Sequence, residues 1–229
     1  LREKEGNLAQ ALKAFEESLE FGRKRLALDS TNVVALCNVS IALDDIGRVK
    51  ATKGELSRAL QAYEASLDLR LDLISRDSTN AVTLGNLSVS FGNVGDTRMA
   101  LGALEPALQA YGEALELSRK LVALDSTNAN ARRNLSAAIE KVGGVREAQG
   151  DLPQALKAYE EALELRRELM AMDPTNATNL RLFSIALNRV GGVREAEGDF
   201  PPALQAYQEA LELRRALLAR DSTDMTALR

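Results

Sequence analysis

Shifting the sequence against itself by 48 residues brings Gly6, Gly54, Gly102, Gly150 and Gly198 into one column, and Ala11-Leu12, Ala59-Leu60, Ala107-Leu108, Ala155-Leu156 and Ala203-Leu204 into another. The register never slips. A fixed period of this size marks a stacked repeat, in which each unit buries its apolar face against its neighbours rather than around a private core. Length therefore counts repeats, not domains. A single array over residues 1–229 is expected, with repeats starting near 6, 54, 102, 150 and 198. Since 4 × 48 = 192 leaves 37 of the 229 residues, the chain reads as a fragment of a longer array. Leu1 to Glu5 align with the end of one helical pattern, and Met225 to Arg229 with the start of another.

Each unit carries two helical patterns. From Leu152 to Met172 apolar residues fall at 152, 155, 156, 159, 162, 163, 165 and 169, the spacing of an amphipathic helix. Equivalents begin near Leu8, Leu56, Leu104 and Phe200. The second pattern runs from about Ala177 to Glu197, with partners from near Val33, Ala81 and Ala129. Each helix is expected to be about 20 residues, or about 30 Å, long.

The joints have readable chemistry. Gly150 suits the left-handed residue that ends a helix, Asp151 the cap of the next, and Pro153 its first turn. The same corner is predicted at every Gly of the column. Lys50, Arg98, Arg146 and Arg194 fall one turn before it, placed to meet the helix dipole and to reach the capping residue across the turn. The other joint is Asp-Ser/Pro-Thr-Asn at 29–32, 77–80, 125–128 and 173–176, with a variant at Asp221–Asp224. Pro174 disfavours helical geometry at Asp173, so one helix stops there and Thr or Asn caps the next.

Composition removes several functions. A net charge of -4 supplies no basic field for a phosphate backbone, so no nucleic-acid partner is expected. Cys37 is the only cysteine and there is no histidine, which leaves no Cys-rich metal cluster, no disulfide framework and no imidazole base. No cofactor, no metal and no catalysis are expected. Apolar runs are far shorter than the ~20 residues that span a bilayer, and the chain reads as cytoplasmic, with no membrane partner.

The run Ser136, Ile139, Val142-Gly143, Ala148, Gly150-Asp151-Leu152, Ala155, Tyr159 and Ala162-Leu163 resembles the tetratricopeptide repeat, and the match recurs in every unit. The family's usual unit is shorter, so both helices are lengthened here, as in long bacterial repeats of large signalling proteins. The usual Trp is replaced by Leu43, Phe91, Ile139 or Leu187, and a usual Tyr by the basic column Lys50, Arg98, Arg146, Arg194. The resemblance implies an all-α, right-handed superhelical α-solenoid of antiparallel helix pairs. Its concave groove, lined by the first helix of each pair, would bind a peptide or partner protein.

Internal copies separate packing from recognition. Gly47, Gly95, Gly143 and Gly191, and Leu19, Leu67, Leu115, Leu163 and Leu211, are the same in every copy and read as packing sites. The variable residues that the resemblance places toward the groove are Asp44, Asp45, Arg48, Asn93, Asp96, Met99, Glu140, Lys141, Glu147, Asn188, Arg189 and Glu195. A carboxylate clamp of the family's kind is not reproduced, because acids interrupt its places. The sequons at Asn38, Asn86 and Asn134 lie within helical patterns and follow from the repeat. Three readings result: an interaction scaffold, a structural spacer or self-associating module using uncapped terminal repeats, and the sensor arm of a larger signalling protein.

Overall fold

The computed structural model describes residues 2–220, with side chains from 6 to 219. Expectations for Leu1 and for 221–229, including the joint at Asp221–Asp224 and the helix start at Met225, lie outside the described residues. Among these there are nine helices and no strand: α1 (Arg2–Leu28), α2 (Val33–Thr52), α3 (Leu56–Arg76), α4 (Ala81–Ala100), α5 (Leu104–Leu124), α6 (Ala129–Ala148), α7 (Leu152–Met172), α8 (Ala177–Ala196) and α9 (Phe200–Arg220). The chain divides into two compact units, Leu1–Leu117 and Ser118–Arg229.

The glycine corner forms as its chemistry dictates. Gly54, Gly102, Gly150 and Gly198 sit at φ between 76° and 80°, where a Cβ would be strained. At the third corner Asp151 N–H donates back to Arg146 O at 2.9 Å and Gly150 N–H to Glu147 O at 2.9 Å, the paired bonds of a Schellman ending. Asp151 then accepts from Gln154 N–H at 3.3 Å, with Pro153 in the first turn of α7. Glu55, its counterpart in the first unit, makes no such side-chain cap.

Gly6 departs from expectation. The register predicts a corner there and a helix from Leu8, but α1 runs unbroken from Arg2 to Leu28. At the other corners the stabilising bonds come from the last turn of a full preceding helix. Here the matching carbonyls belong to residues 2 and 3, and they lie within the same continuous helix as Gly6. The backbone gains more by continuing the helix through Gly6-Asn7.

The acidic joint repeats with little variation. Asp29 accepts from Thr31 N–H at 2.9 Å and Thr31 Oγ1 at 2.7 Å, and Asn32 Oδ1 caps α2 by accepting from Ala35 N–H at 2.9 Å. Asp77, Asp125 and Asp173 hold Thr79, Thr127 and Thr175 in the same way. Asn, not Thr, is the cap each time: Asn80, Asn128 and Asn176 follow Asn32. The two hydrogen bonds from threonine hold each of these aspartates below the usual carboxylate range.

The core of the first unit gathers Leu19, Val39, Ala42, Leu43, Ile46 and Ala62, continuing through Ala59, Tyr63, Val94 and Ala110. In the second unit Ala155, Tyr159, Val190 and Val193 form one cluster, and Phe183, Leu187, Ala206 and Ala210 the next. Leu163 packs against both of these clusters, whereas its copy Leu211 is 47% exposed because no further helix among the described residues covers α9.

Candidate functional site

The even-numbered helices α2, α4, α6 and α8 carry all twelve candidate groove residues, and their setting is fixed by a glycine–tyrosine column. A Cβ at Gly47, Gly95, Gly143 or Gly191 would meet the ring of Tyr63, Tyr111, Tyr159 or Tyr207 at 2.5–2.8 Å. Each glycine therefore lets an even helix lie against the tyrosine of the odd helix that follows. At three of the four a carboxylate of the even helix meets the tyrosine hydroxyl. Tyr111 OH donates to Asp96 at 2.6 Å, Tyr159 OH to Glu147 at 2.6 Å and Tyr207 OH to Glu195 at 2.7 Å. Burial first, and the accepting carboxylate second, raise Tyr111 and Tyr159 far above an ordinary phenol. At Tyr207 the hydrogen bond is the larger cause.

Two further candidates face inward. Asp44 Oδ2 pairs with Arg70 at 2.6 Å; the two side chains are 17% and 7% exposed. Arg70 also donates to Asn86 O at 2.9 Å and to Ser90 Oγ, so one buried guanidinium of α3 joins α2 to α4. Glu140 and Arg166 repeat the pair in the second unit, where Arg166 donates to Leu182 O at 3.0 Å and joins α6 to α8 through α7. Asp44, placed toward the groove by the resemblance, is thus held largely inside: its Oδ1 is buried with no hydrogen-bond partner. Burial raises its carboxyl and Arg70 opposes the rise.

The remaining candidates stay nearer water. Arg48 is paired with Asp45 at 2.5 Å and Arg189 lies 3.5 Å from Glu140, both guanidiniums being more than half exposed. Asn93, Met99, Lys141 and Asn188 are half-buried. The basic column does not reach the capping residues across its corners. Arg98 instead pairs with Glu64 of the preceding odd helix at 2.9 Å and Arg194 with Glu160 at 2.7 Å, while Arg146 donates to Gln149 Oε1 at 3.2 Å. Those glutamates stand 34 residues back, on a neighbouring helix.

Sequence reasoning missed an apolar pattern on this same side. Val34 and Ile41 of α2 are 60% and 52% exposed, and Val82 and Val89 of α4, one period later, are 73% and 52% exposed. At 3.6 residues per turn Ile41 shares a face with Asp44, Asp45 and Arg48, and Val89 with Asn93 and Asp96. The copies carry part of the signal: the second unit has Asn130, Thr178 and Ala137 at three of these places and keeps an aliphatic, Ile185, at the fourth. The buried arginines were missed too, although Asp44, Gly92, Glu140 and Asn188 vary together with Arg70, Ser118, Arg166 and Arg214, always 26 residues apart. Among the described residues no group of His, Cys, Asp and Glu could hold a metal, and no helix is long and apolar enough to cross a membrane.

No protein-family model and no curated protein matches this sequence. Solved structures do resemble it. BtubC (BKLC) from P. vanneervenii aligns with a TM-score of 0.64 at 17% identity, over 92% of either chain. The TPR-like repeats of a putative kinesin light chain from Podosopora anserina give 0.61 at 12% identity, over 97% of this chain and 96% of that one. MamA gives 0.54 at 19% identity, over 94% and 93%.

Proposed function

We propose that this chain, whose fold is that of the tetratricopeptide-type helical repeats, is a non-catalytic scaffold that binds a peptide or partner protein on its even-helix face. One observation carries the reading. On that face most charges are already spent on Tyr hydroxyls, buried arginines or each other, while Val34, Ile41, Val82 and Val89 project into water in repeat register on two helices joined by Arg70. Exposed aliphatics in a row have no packing role to explain them and are what a partner buries. Asp45, Arg48, Asn93 and Asp96 would form the polar rim and Met99 an apolar contact beside it, with Lys141, Glu147, Asn188, Arg189 and Glu195 as the corresponding face of the second unit. The lone half-buried thiol of Cys37 suits a reducing, cytoplasmic setting.

The test is affinity capture from a lysate of the source cells with the immobilised chain. Replacing Ile41 and Val89 by Asp should abolish a specific captured band, whereas Leu28→Asp, which removes a 90% exposed leucine elsewhere, should leave it. Equal capture by all three proteins would sink the reading.

A second reading rests on α9. Phe200, Leu204 and Leu211 are 64%, 58% and 47% exposed along its uncovered side, which supports association of copies there.

A further inference from the structure

Two depressions recur three periods apart, on the opposite side of the even helices from the face described above. The one in the first unit, about 450 Å³, lies between α1 and α3 over a floor of α2 that includes Leu43 and Ile46, with Lys50 beside them. The other, about 320 Å³, is built in the same way from α7, α8 and α9, with Leu187, Val190 and Arg194 in the matching places. Leu43, Ile46 and Lys50 point about 180° away from Ile41, Asp44 and Arg48 at 3.6 residues per turn.

The two differ in charge. In the second unit Arg194 is paired with Glu160 and Arg167 with Glu164, each at 2.7 Å, so the cations that line the depression are already neutralised. Arg98, between them in sequence, is likewise tied to Glu64 and to Pro106 O, beside Phe91 in place of leucine. In the first unit the arginine of this column is Lys50. Its shorter, compact ammonium makes no ion pair with Glu16 or with any other described residue, and Arg23 at the same rim also makes none. Glu16 and Glu20 line the same rim, but Glu20 is turned to Lys24 at 2.6 Å and Arg58 to Glu55 at 3.0 Å, which leaves Lys50, half-buried above the apolar floor, and Arg23 as two cations against the single carboxylate of Glu16.

We infer that the depression between α1, α2 and α3 is a second docking site, which takes a partner-protein segment carrying a carboxylate beside an aliphatic side chain. The carboxylate meets Lys50 and Arg23; the aliphatic group fills the space over Leu19, Leu43 and Ile46. The volume falls in the ordinary range of ligand clefts, about 300–1,000 Å³. The α7–α9 depression, its cations quenched, is not such a site.

A fluorescein-labelled peptide, acetyl-Gly-Leu-Glu-Ile-Glu-Gly, titrated by anisotropy against the full chain, tests this. It should bind saturably, and its counterpart with Lys for Glu should not. Lys50→Glu should weaken binding by roughly tenfold or more. Lys50→Arg should also weaken it, because a guanidinium there reaches Glu16 as Arg98 and Arg194 reach their glutamates; a merely electrostatic surface would be indifferent to that change. Arg194→Glu and the Ile41→Asp/Val89→Asp pair should leave the affinity unchanged, which separates this site from the even-helix face. The inference is overturned if the acidic peptide binds no better than the basic one, if Lys50→Arg binds as wild type, or if Arg194→Glu costs as much as Lys50→Glu.

Discussion

Gly143 and Gly144 are adjacent in sequence but opposite in consequence. A methyl group at Gly143 would stand 2.8 Å from the ring of the buried Tyr159, whereas at Gly144 its nearest neighbour is the Tyr159 hydroxyl at an ordinary 3.6 Å. Gly143→Ala should therefore destabilise the chain by about 1–3 kcal/mol, the cost of overpacking. Gly144→Ala should stabilise it by roughly 0.5–1 kcal/mol through helix propensity. Urea titration followed by circular dichroism measures both, and equal signs would refute the packing assignment. Residue by residue, the sequence allowed the glycine column to be read as packing but not to say on what. The tyrosine it meets lies 16 residues on, and only the pairing of the helices brings ring and backbone together. The carboxylates Asp96, Glu147 and Glu195 were read as free for recognition because their tyrosine partners lie on another helix.

Between elements, the buried arginines set helix pairing. Arg70→Met leaves Asp44 buried without its partner and should cost about 3–5 kcal/mol. Arg166→Met should cost less, since Arg189 stands 3.5 Å from Glu140 and can take up its charge. The sequence supplies its own control: Gly92 and Ser118 occupy these two places in another copy, so Asp44→Gly with Arg70→Ser should be milder than Arg70→Ser alone in a double-mutant cycle. The acidic joints carry a pH signature. Their aspartates are held below the ordinary carboxylate value, so their stabilisation is present above about pH 4 and is lost as pH falls through the depressed folded value. Asp44, raised by burial, has the opposite sign: its contribution is present below the ordinary value and lost as pH rises through the raised one. Asp125→Asn keeps a carbonyl acceptor for Thr127 but removes the charge. Its deficit against wild type should be full at pH 6 and vanish in acid; a deficit independent of pH would show that ionisation of Asp125 is irrelevant. These joints were legible because local hydrogen bonds make them. The Gly6 corner was not, because Gly6-Asn7 can continue a helix as well as end one, and α1 runs through it.

For the molecule as a whole, the 48-residue period sets helix number, helix length and joint positions, and the helices fall within a residue or two of those positions from α2 onward. Recognition surfaces were harder to read, since exposure depends on which side chains their neighbours consume. The apolar side of α9 predicts concentration-dependent association: sedimentation velocity should show dimers or larger species at high concentration, reduced by Leu204→Glu with Leu211→Glu, and a wild-type monomer throughout would remove that reading. The central claim, that the even-helix face of the first unit receives a partner protein, is tested most directly by placing a photo-crosslinking amino acid at position 41, at position 89 and, as a control, at the exposed position 72 of α3, then irradiating in the source cells. Discrete adducts of one mass at positions 41 and 89, absent at position 72, are predicted. Adducts of the same masses at all three positions, or none at 41 and 89, would contradict the account.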